Sequence, residues 1–355
     1  MKKICIVVGA RPNFVKVAPL IRAIERSEES AYSLVYAGRA DDATLEPSLF
    51  DDLQMPRPGV FLGVGSSRLN EITSQVMAHF DAYLDREPAD VVIVVDDLAS
   101  TMATAIVAKK RGLTLAHLVA GTRSFDMKMP KEVNRLVIDA LSDMLFTACT
   151  RSNSVAAREQ AEGADTYMVG NILMDSLRFC LPRLRKPAID ALEEKKYLVL
   201  TVNRRALLAD KDKLCQLLQA LTEAAGGTPV MAPLREEARQ TVSDIPAIAD
   251  RLTLLPPLAY LEFGWLTTHA LGIVTDSGNV AEEATFNGVP CITLNSYTEH
   301  QETVTVGTNV LVGEDPARLR EAVGQMVGGQ WKRGALPDRW DGRTAERIVK
   351  IINAK

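Results

Sequence analysis

Short β-branched runs alternate with amphipathic segments along this chain, and the whole alternating series occurs twice. No other feature of the sequence limits the possible folds as much. In the first series Ile4–Val8, Ser33–Tyr36, Val91–Val95, Leu115–Leu118 and Leu145–Thr147 have the pattern of strands, with helical periodicity over Val17–Ser27, Ser67–Leu84 and Ser100–Arg111. The second series begins at Tyr197–Val202 and runs through Thr228–Ala232, Leu252–Leu254, Gly272–Thr275 and Cys291–Leu294. Strands that alternate with helices form parallel crossovers, so each series predicts a parallel sheet covered by helices on both faces. The polar segment Leu181–Lys196, with Pro182, Pro187 and a run of charges, is the expected linker and hinge. Loops of such sheets gather at the carboxyl ends of the strands, so the expected ligand site is a cleft where the two sets of loops face each other.

With 355 residues, 47% of them hydrophobic and 24% charged, the chain can bury cores for two domains. A net charge of −4 gives no general attraction for nucleic acid or anionic lipid, so any phosphate contact is local. The apolar run after Lys2-Lys3 stops at Gly9, too soon for a signal peptide, and no stretch is long enough for membrane insertion. The five cysteines stand singly, without a Cys-x-x-Cys pair, as expected of reduced core residues in a cytoplasmic protein with no metal site.

Three segments carry the chemistry. Gly9-Ala10-Arg11-Pro12-Asn13-Phe14-Val15-Lys16 is a glycine turn opening a helix, where free N–H groups and the helix dipole favour an anion, with Arg11 and Lys16 adding charge. The alternative is a plain turn with both cations in solvent. Val274-Thr275-Asp276-Ser277-Gly278-Asn279 leads from a strand into a helix carrying Glu282 and Glu283. Ser277, Gly278 and the following N–H groups suit a diphosphate, and one carboxylate, Glu283, matches the vicinal diol of a ribose. The competing role is an N-cap by Ser277 above solvated glutamates. The third segment runs from His117 to Arg123 and on through Asp126 to Pro130-Lys131-Glu132-Val133-Asn134-Arg135, beside Asp96-Asp97 at the end of the preceding strand. Asp97 is either a proton-transfer or sugar-hydroxyl residue, or a cap for the helix near Ser100. His117, closing an apolar run, has the setting of a satisfied structural histidine.

The order of these motifs resembles the non-hydrolysing UDP-N-acetylglucosamine 2-epimerases. It includes Gly-x-Arg-Pro, the strand-ending Asp97, His-x-x-Ala-Gly-x-Arg, Pro-x-Glu-x-Asn-Arg, Val169-Gly170-Asn171 with Asp175, Thr201 to Arg204-Arg205, Leu255-x-Pro-Leu-x-Tyr260, Thr-Asp-Ser-Gly-x-x-x-Glu-Glu and Asp341-Gly342-x-x-Ala-Glu-Arg. The resemblance implies an α/β fold of the glycosyltransferase-B type, two Rossmann-like domains with parallel sheets facing across a cleft. It places an N-terminal domain over 1–180, completed by a C-terminal helix at 341–355, and a UDP-binding domain over 181–340. It further implies a homodimer, a UDP-sugar substrate, no cofactor or metal, and inversion at C2 by elimination and re-addition of UDP. Ser277, Gly278, Asn279 and Glu283 would bind UDP, with Arg11, Lys16, Arg123, Asn171 and Arg205 around the substrate.

The departures from the family pattern fall on its acid and base groups. Val119 stands where the family has glutamate, Lys131 where it has a second glutamate, and Asn203 where it has histidine. Of the proton-transfer candidates Asp97 keeps its place, and the shorter loop before Pro130 offers Glu132 or Asp126 as a replacement. Thr298-Glu299-His300-Gln301-Glu302 also replaces the family's Thr-Glu-Arg-Pro-Glu, and Gly38-Arg39-Ala40 its Gly-Gln-His. The expected activity is a UDP-amino-sugar epimerase with altered catalytic groups, Asp97 and Glu132 carrying protons. One alternative is a glycosyltransferase on the same scaffold, with Arg204, Arg205 and Arg11 stabilising departing UDP. Another is a non-catalytic UDP-sugar binder that partners an active relative.

Overall fold

The computed structural model describes residues 1–190 and 192–355; Ala191, inside the expected linker, and the side chain of Ala247 lie outside the described residues. Strands β1 (Lys2–Val8), β2 (Ser30–Tyr36), β3 (Val60–Phe61), β4 (Val91–Val95), β5 (Thr114–Ala120), β6 (Met144–Thr147) and β7 (Asp165–Met168) form one parallel sheet in the order β3-β2-β1-β4-β5-β6-β7. A second comprises β8 (Leu198–Thr201), β9 (Val230–Pro233), β10 (Thr253–Leu255), β11 (Gly272–Thr275), β12 (Cys291–Thr293) and β13 (Asn309–Leu311), ordered β10-β9-β8-β11-β12-β13. The chain divides into two compact units, Met1–Phe179 with Asp338–Lys355, and Cys180–Pro337. In both sheets the order reverses beside the first strand, between β1 and β4 and between β8 and β11. Helices leave in opposite directions there, which opens a crevice at the carboxyl ends of those two strands.

Central strands are buried on both faces, as the continuous apolar runs Cys-Ile-Val-Val and Val-Val-Ile-Val-Val require. Of the edge strands, β3 and β13 are only two and three residues long and β7 is half-buried with a mixed composition, so none of the three is in the sequence pattern, whereas β10 overlaps the expected Leu252–Leu254. The first unit packs Val76, Phe80, Tyr83 and Leu84 of the helix Leu69–Leu84 against Cys5, Val7, Val92 and Val94. In the second unit Leu214, Leu217, Leu218 and Leu221 cover Leu198, Leu200 and Val274. On the opposite face of that sheet, Trp265, Leu266, Ala281 and Ala284 cluster with Val199 and Ile273. Each such fully buried leucine contributes about 1.5–3 kcal/mol relative to exposure.

The first long helix, Arg11–Ser27, begins well before the periodicity that starts at Val17, because Pro12 suits a first turn and Asn13 binds back to the loop. Pro19 lies inside it and lacks the N–H that would bind the Val15 carbonyl. The Ser176 hydroxyl donates to that carbonyl instead, at 2.5 Å. The segment expected to be a hinge is packed onto the second unit. Leu192 is buried, Leu184 and Ile189 lie against the Trp265 cluster, and the Lys195 N–H donates to the His269 carbonyl at 2.8 Å. Its apolar residues are spaced singly among charges, which is why composition alone marks it as a linker.

The helix Thr344–Ala354 packs against Arg11–Ser27 and buries Ile348, Val349 and Ile352. Its start is capped by a residue distant in sequence: Asp175 accepts the Thr344 and Ala345 N–H groups at 3.0 and 2.8 Å. Burial outweighs those two donors and pushes the Asp175 carboxyl up to about 6. A raised folded-state value means that stability present below the unfolded value near 3.8 is lost as pH rises through about 6, by roughly 3 kcal/mol. The unfolding free energy of wild type minus that of Asp175→Asn therefore falls between pH 4 and 7 in urea titrations; a constant difference would refute this assignment.

Candidate functional site

At the first crevice, the loop after β1 is held by a polar clasp. The Asn13 side-chain oxygen accepts the Gly9 and Ala10 N–H groups at 3.0 and 3.1 Å, and its amide donates to Asp96 at 2.7 Å. Lys16 donates to the other Asp96 oxygen at 2.5 Å. Asp96 adopts a left-handed backbone with φ 58°, which aspartate tolerates. His117 Nε2 lies 2.9 Å from the Asp96 carbonyl and Nδ1 lies 2.5 Å from Asp139. A carbonyl only accepts, so Nε2 carries a proton and His117 is a structural histidine. A Cβ on Gly9 would lie 2.1 Å from Ser100 Oγ, so the turn admits no side chain. Lys16 is thus buried in the clasp, whereas half-buried Arg11 reaches Glu46 only at 4.0 Å and has an Nε without a hydrogen-bond partner.

Asp97 faces two cations, with Arg135 at 2.7 Å and Lys131 at 3.3 Å, while its carbonyl accepts from Asn134. The helix Ala99–Lys110 starts after Leu98 without a side-chain cap, so Asp97 is not the cap that its position suggests. Burial opposes its ionisation, but Lys131 and Arg135 overcome that and hold it below the usual carboxylate range. Glu132 is buried, and its two oxygens accept the Ser124 N–H and hydroxyl, the Phe125 N–H and Arg135. Burial disfavours its charge too, yet these donors keep its carboxyl low. The arrangement gives Glu132 the geometry of a loop anchor. Val119 sits at the irregularity between β5 and β6 with φ 75°, a conformation costing a β-branched residue about 1–2 kcal/mol.

Two expected substrate ligands are engaged elsewhere. Arg123 is buried, bonding Asp139 at 2.7 Å, Glu159 at 2.9 and 3.0 Å and the Thr122 carbonyl at 2.9 Å. Its guanidinium is therefore a structural cation, a role that spacing alone does not distinguish from ligand binding. Asn171, also buried, accepts the Leu173 N–H at 3.0 Å in the first turn of the helix Ile172–Cys180.

The second crevice repeats the clasp. Asp276 Oδ2 accepts the Asn203 and Arg204 N–H groups, each at 2.7 Å, and the Thr201 and Thr275 hydroxyls meet at 2.6 Å. Thr275 also accepts the Ser277 N–H at 3.0 Å. Ser277 occupies the cap position of the helix Gly278–Asn287, but its side chain makes no capping bond. The first-turn N–H groups of Gly278, Asn279 and Val280 lack an intrahelical acceptor, so the turn presents donors and a positive dipole end. One turn on, half-buried Glu283 has no hydrogen bond or ion pair among the described residues. Burial, then the neighbouring Glu282 charge, pushes its carboxyl up to about 8. Arg204 pairs with Glu314, which also binds Lys213 at 3.0 Å, while Asn203 and Arg205 are exposed. The sequence motifs contain Asp276 without marking its structural role, and they contain His300 without showing that its Nδ1 lies 3.1 Å from buried Glu282.

Among the described residues, no group of three His, Cys, Asp or Glu side chains is arranged to hold a metal, and no helix is long and apolar enough to cross a membrane.

The profile of a family described as UDP-N-acetylglucosamine 2-epimerase matches residues 22–353. The chain is 33% identical over 334 residues to a UDP-N-acetylglucosamine 2-epimerase homolog of Methanococcus maripaludis, covering 91% of this chain and 92% of that one. It is 32% identical over 329 residues to a UDP-2,3-diacetamido-2,3-dideoxy-D-glucuronate 2-epimerase of Pseudomonas aeruginosa, covering 92% of each. The crystal structure of the Methanocaldococcus jannaschii UDP-GlcNAc 2-epimerase, in complex with UDP-GlcNAc and UDP, superimposes with a TM-score of 0.86 at 30% identity, covering 99% of this chain and 100% of that one. The two parallel sheets are thus those of the glycosyltransferase-B-like epimerase fold.

Removing the first clasp with Asp96→Ala should lower the unfolding free energy by about 2–3 kcal/mol, since two charge-assisted bonds are lost. Asp96→Asn, which can still accept from Asn13, should lose about half of that. Equal stability of all three proteins in denaturant titrations would show that the clasp contributes nothing.

Proposed function

Because the chain belongs to the UDP-N-acetylglucosamine 2-epimerase family, we propose that it binds a UDP-linked 2-acetamido sugar and acts at C2 by eliminating UDP and adding it back. The observation that carries this proposal is the helix start at Gly278: a Ser277 side chain that makes no capping bond, first-turn N–H donors, and, one turn later, a glutamate without a hydrogen bond or ion pair among the described residues. The N–H groups of Gly278 and Asn279 and the Ser277 hydroxyl receive the diphosphate, and Glu283 receives the two ribose hydroxyls. Arg11, with its unused Nε, and exposed Arg205 supply further positive charge.

Elimination takes the C2 proton to a base, breaks the bond from C1 to the diphosphate oxygen and forms a C1–C2 double bond; re-addition remakes the C1–O bond while a proton is delivered to C2 from the opposite face, which inverts that centre. Asp97 fills the base role, because its two cations keep it ionised. The same cations weaken it as a base, so proton transfer is slow. Glu132 holds the loop from Ser124 to Phe125 instead of carrying protons, and Arg204, tied to Glu314, orients the turn after β8. A second activity, transfer of the sugar to an acceptor, is favoured by the ion-paired, weakly basic Asp97 together with Val119, since transfer needs UDP to leave but no base at C2.

Incubation with UDP-N-acetylglucosamine in heavy water separates the two. Epimerisation places deuterium at C2, and Asp97→Asn lowers the exchange rate by about 10²–10⁴-fold. Absence of exchange, with UDP released only when an acceptor is added, would replace it with transfer.

Glu283 gives a pH-dependent test. In the free protein burial holds it near 8, mostly protonated at neutral pH, while ribose hydroxyls donate to the ionised form. Binding therefore favours deprotonation, and the UDP affinity of wild type relative to Glu283→Gln rises with pH up to about 8, by at most about tenfold per unit. A ratio independent of pH in calorimetric titrations would remove Glu283 from the ribose site.

A further inference from the structure

Of the two cations at Asp97, Lys131 is the loosely held one. Arg135 is enclosed, its side chain 8% exposed; Nε and one terminal nitrogen hold Asp97 Oδ2 at 2.8 and 2.7 Å, and the other terminal nitrogen holds Glu132 at 3.0 Å. Lys131 meets the opposite oxygen, Oδ1, at 3.3 Å, and 57% of its side chain is exposed. An ammonium has three N–H donors, and among the described residues this one has no second ion pair. A long, solvated side chain held by one such contact is exchanged easily, because solvent screens the pair and the freed chain regains rotamer freedom. The substitutions around it run in one direction. Val119 and Lys131 stand where the family has two glutamates, so two negative charges are exchanged for one positive charge. A pair of glutamates repels an anionic sugar; the residues that replace them remove that repulsion and add an attraction.

We infer that Lys131 binds a carboxylate carried by the sugar, so that the substrate is a UDP-linked 2-acetamido sugar acid whose binding draws Lys131 away from Asp97. This rests on the reading of Asp97 as the C2 base, and it names the class of sugar on which that base works best. In the free protein Asp97 is shared between two cations and is a weak base. Once Lys131 turns to the substrate carboxylate, Arg135 alone remains on Asp97, and Oδ1 recovers its lone pairs for the C2 proton. The bonds that change are those already described: the C2 proton passes to Asp97, the C2–H electron pair becomes the C1–C2 double bond, and the C1–O pair leaves with UDP. A neutral sugar offers Lys131 no such partner and leaves the ion pair in place. A C6 uronate and a lactyl ether on O3 both carry the required group within one pyranose ring of the reacting carbon.

The test follows deuterium entry at C2 in heavy water with UDP-N-acetylglucosamine, its C6 uronate and UDP-N-acetylmuramate, the last two separating the two positions of the carboxylate. One carboxylated sugar should exchange about tenfold or more faster in kcat/KM than UDP-N-acetylglucosamine. Lys131→Gln should abolish that preference, yet raise exchange with UDP-N-acetylglucosamine, since Asp97 loses a cation. Lys131→Arg, which keeps the charge, should retain most of the preference. A lysine that donated the proton itself would slow with every sugar when replaced, and a merely structural lysine would leave the ratio unchanged. Either result overturns the proposal, as does a wild-type chain with no preference for a carboxylated sugar. Calorimetry gives a readout independent of the chemistry: the carboxylated sugar should bind wild type about tenfold or more tighter than Lys131→Gln, whereas UDP binds both alike. If no sugar exchanges deuterium, the C2 reading fails, and calorimetry alone decides whether Lys131 holds the carboxylate.

Discussion

An aspartate placed directly after the fourth strand of each sheet ties the two loops of the crevice together. Asp96 holds the Gly9 turn through Asn13 and Lys16; Asp276 holds the Asn203-Arg204 turn through two N–H groups. Parallel strands in doubly wound sheets end in loops with few bonds of their own, and a crevice between diverging helices has no ladder to keep its shape. A carboxylate that accepts several donors at once supplies that rigidity. Most of the residues proposed to meet the substrate lie on or next to those loops: Arg11 and Asp97 in the first unit, Ser277, Gly278 and Arg204 in the second.

The two units use charge differently. Around Asp97 and Glu132 the carboxylates are matched by Lys131, Arg135 and backbone donors, and both carboxyls are held below their ordinary range. Such a region is electrostatically settled and resists protonation. Around Gly278 the balance is left open, with an acid raised to about 8 by burial and N–H groups without acceptors. A half-buried acid with no ion pair among the described residues and unfilled donors are costly in a folded chain unless a ligand completes them.

The alternation of strands and helices was legible because central parallel strands must be apolar on both faces, and β1, β4, β5, β8 and β11 were all located from their residues. Edge strands such as β7, Asp-Thr-Tyr-Met, carry no such demand and left no pattern. The motifs located the turns where the crevices lie, but not which side chains in them point at one another. Arg123 and Asn171 have the residue types of ligands, yet a buried salt bridge and a helix cap use the same types. Lys16 belongs to the same group, since only the position of Asp96 across the sheet shows what it binds. The 298–302 segment departs visibly from the family pattern, but nothing local in Glu-His-Gln-Glu marks the closeness of His300 to a glycine more than twenty residues earlier.

The first unit is assembled from both ends of the polypeptide: Lys2 donates to the Ile352 carbonyl, Ser30 meets Asn353, and Asp175 caps the helix that begins at Thr344. On a ribosome this order matters. Residues 180–337 emerge complete and can settle while the earlier sheet still waits for its closing helix, so the half made first is the half finished last. Until the helix Thr344–Ala354 has emerged, the helix Arg11–Ser27 lacks the element that packs on it, and an apolar surface of the first unit stays open to quality-control proteases.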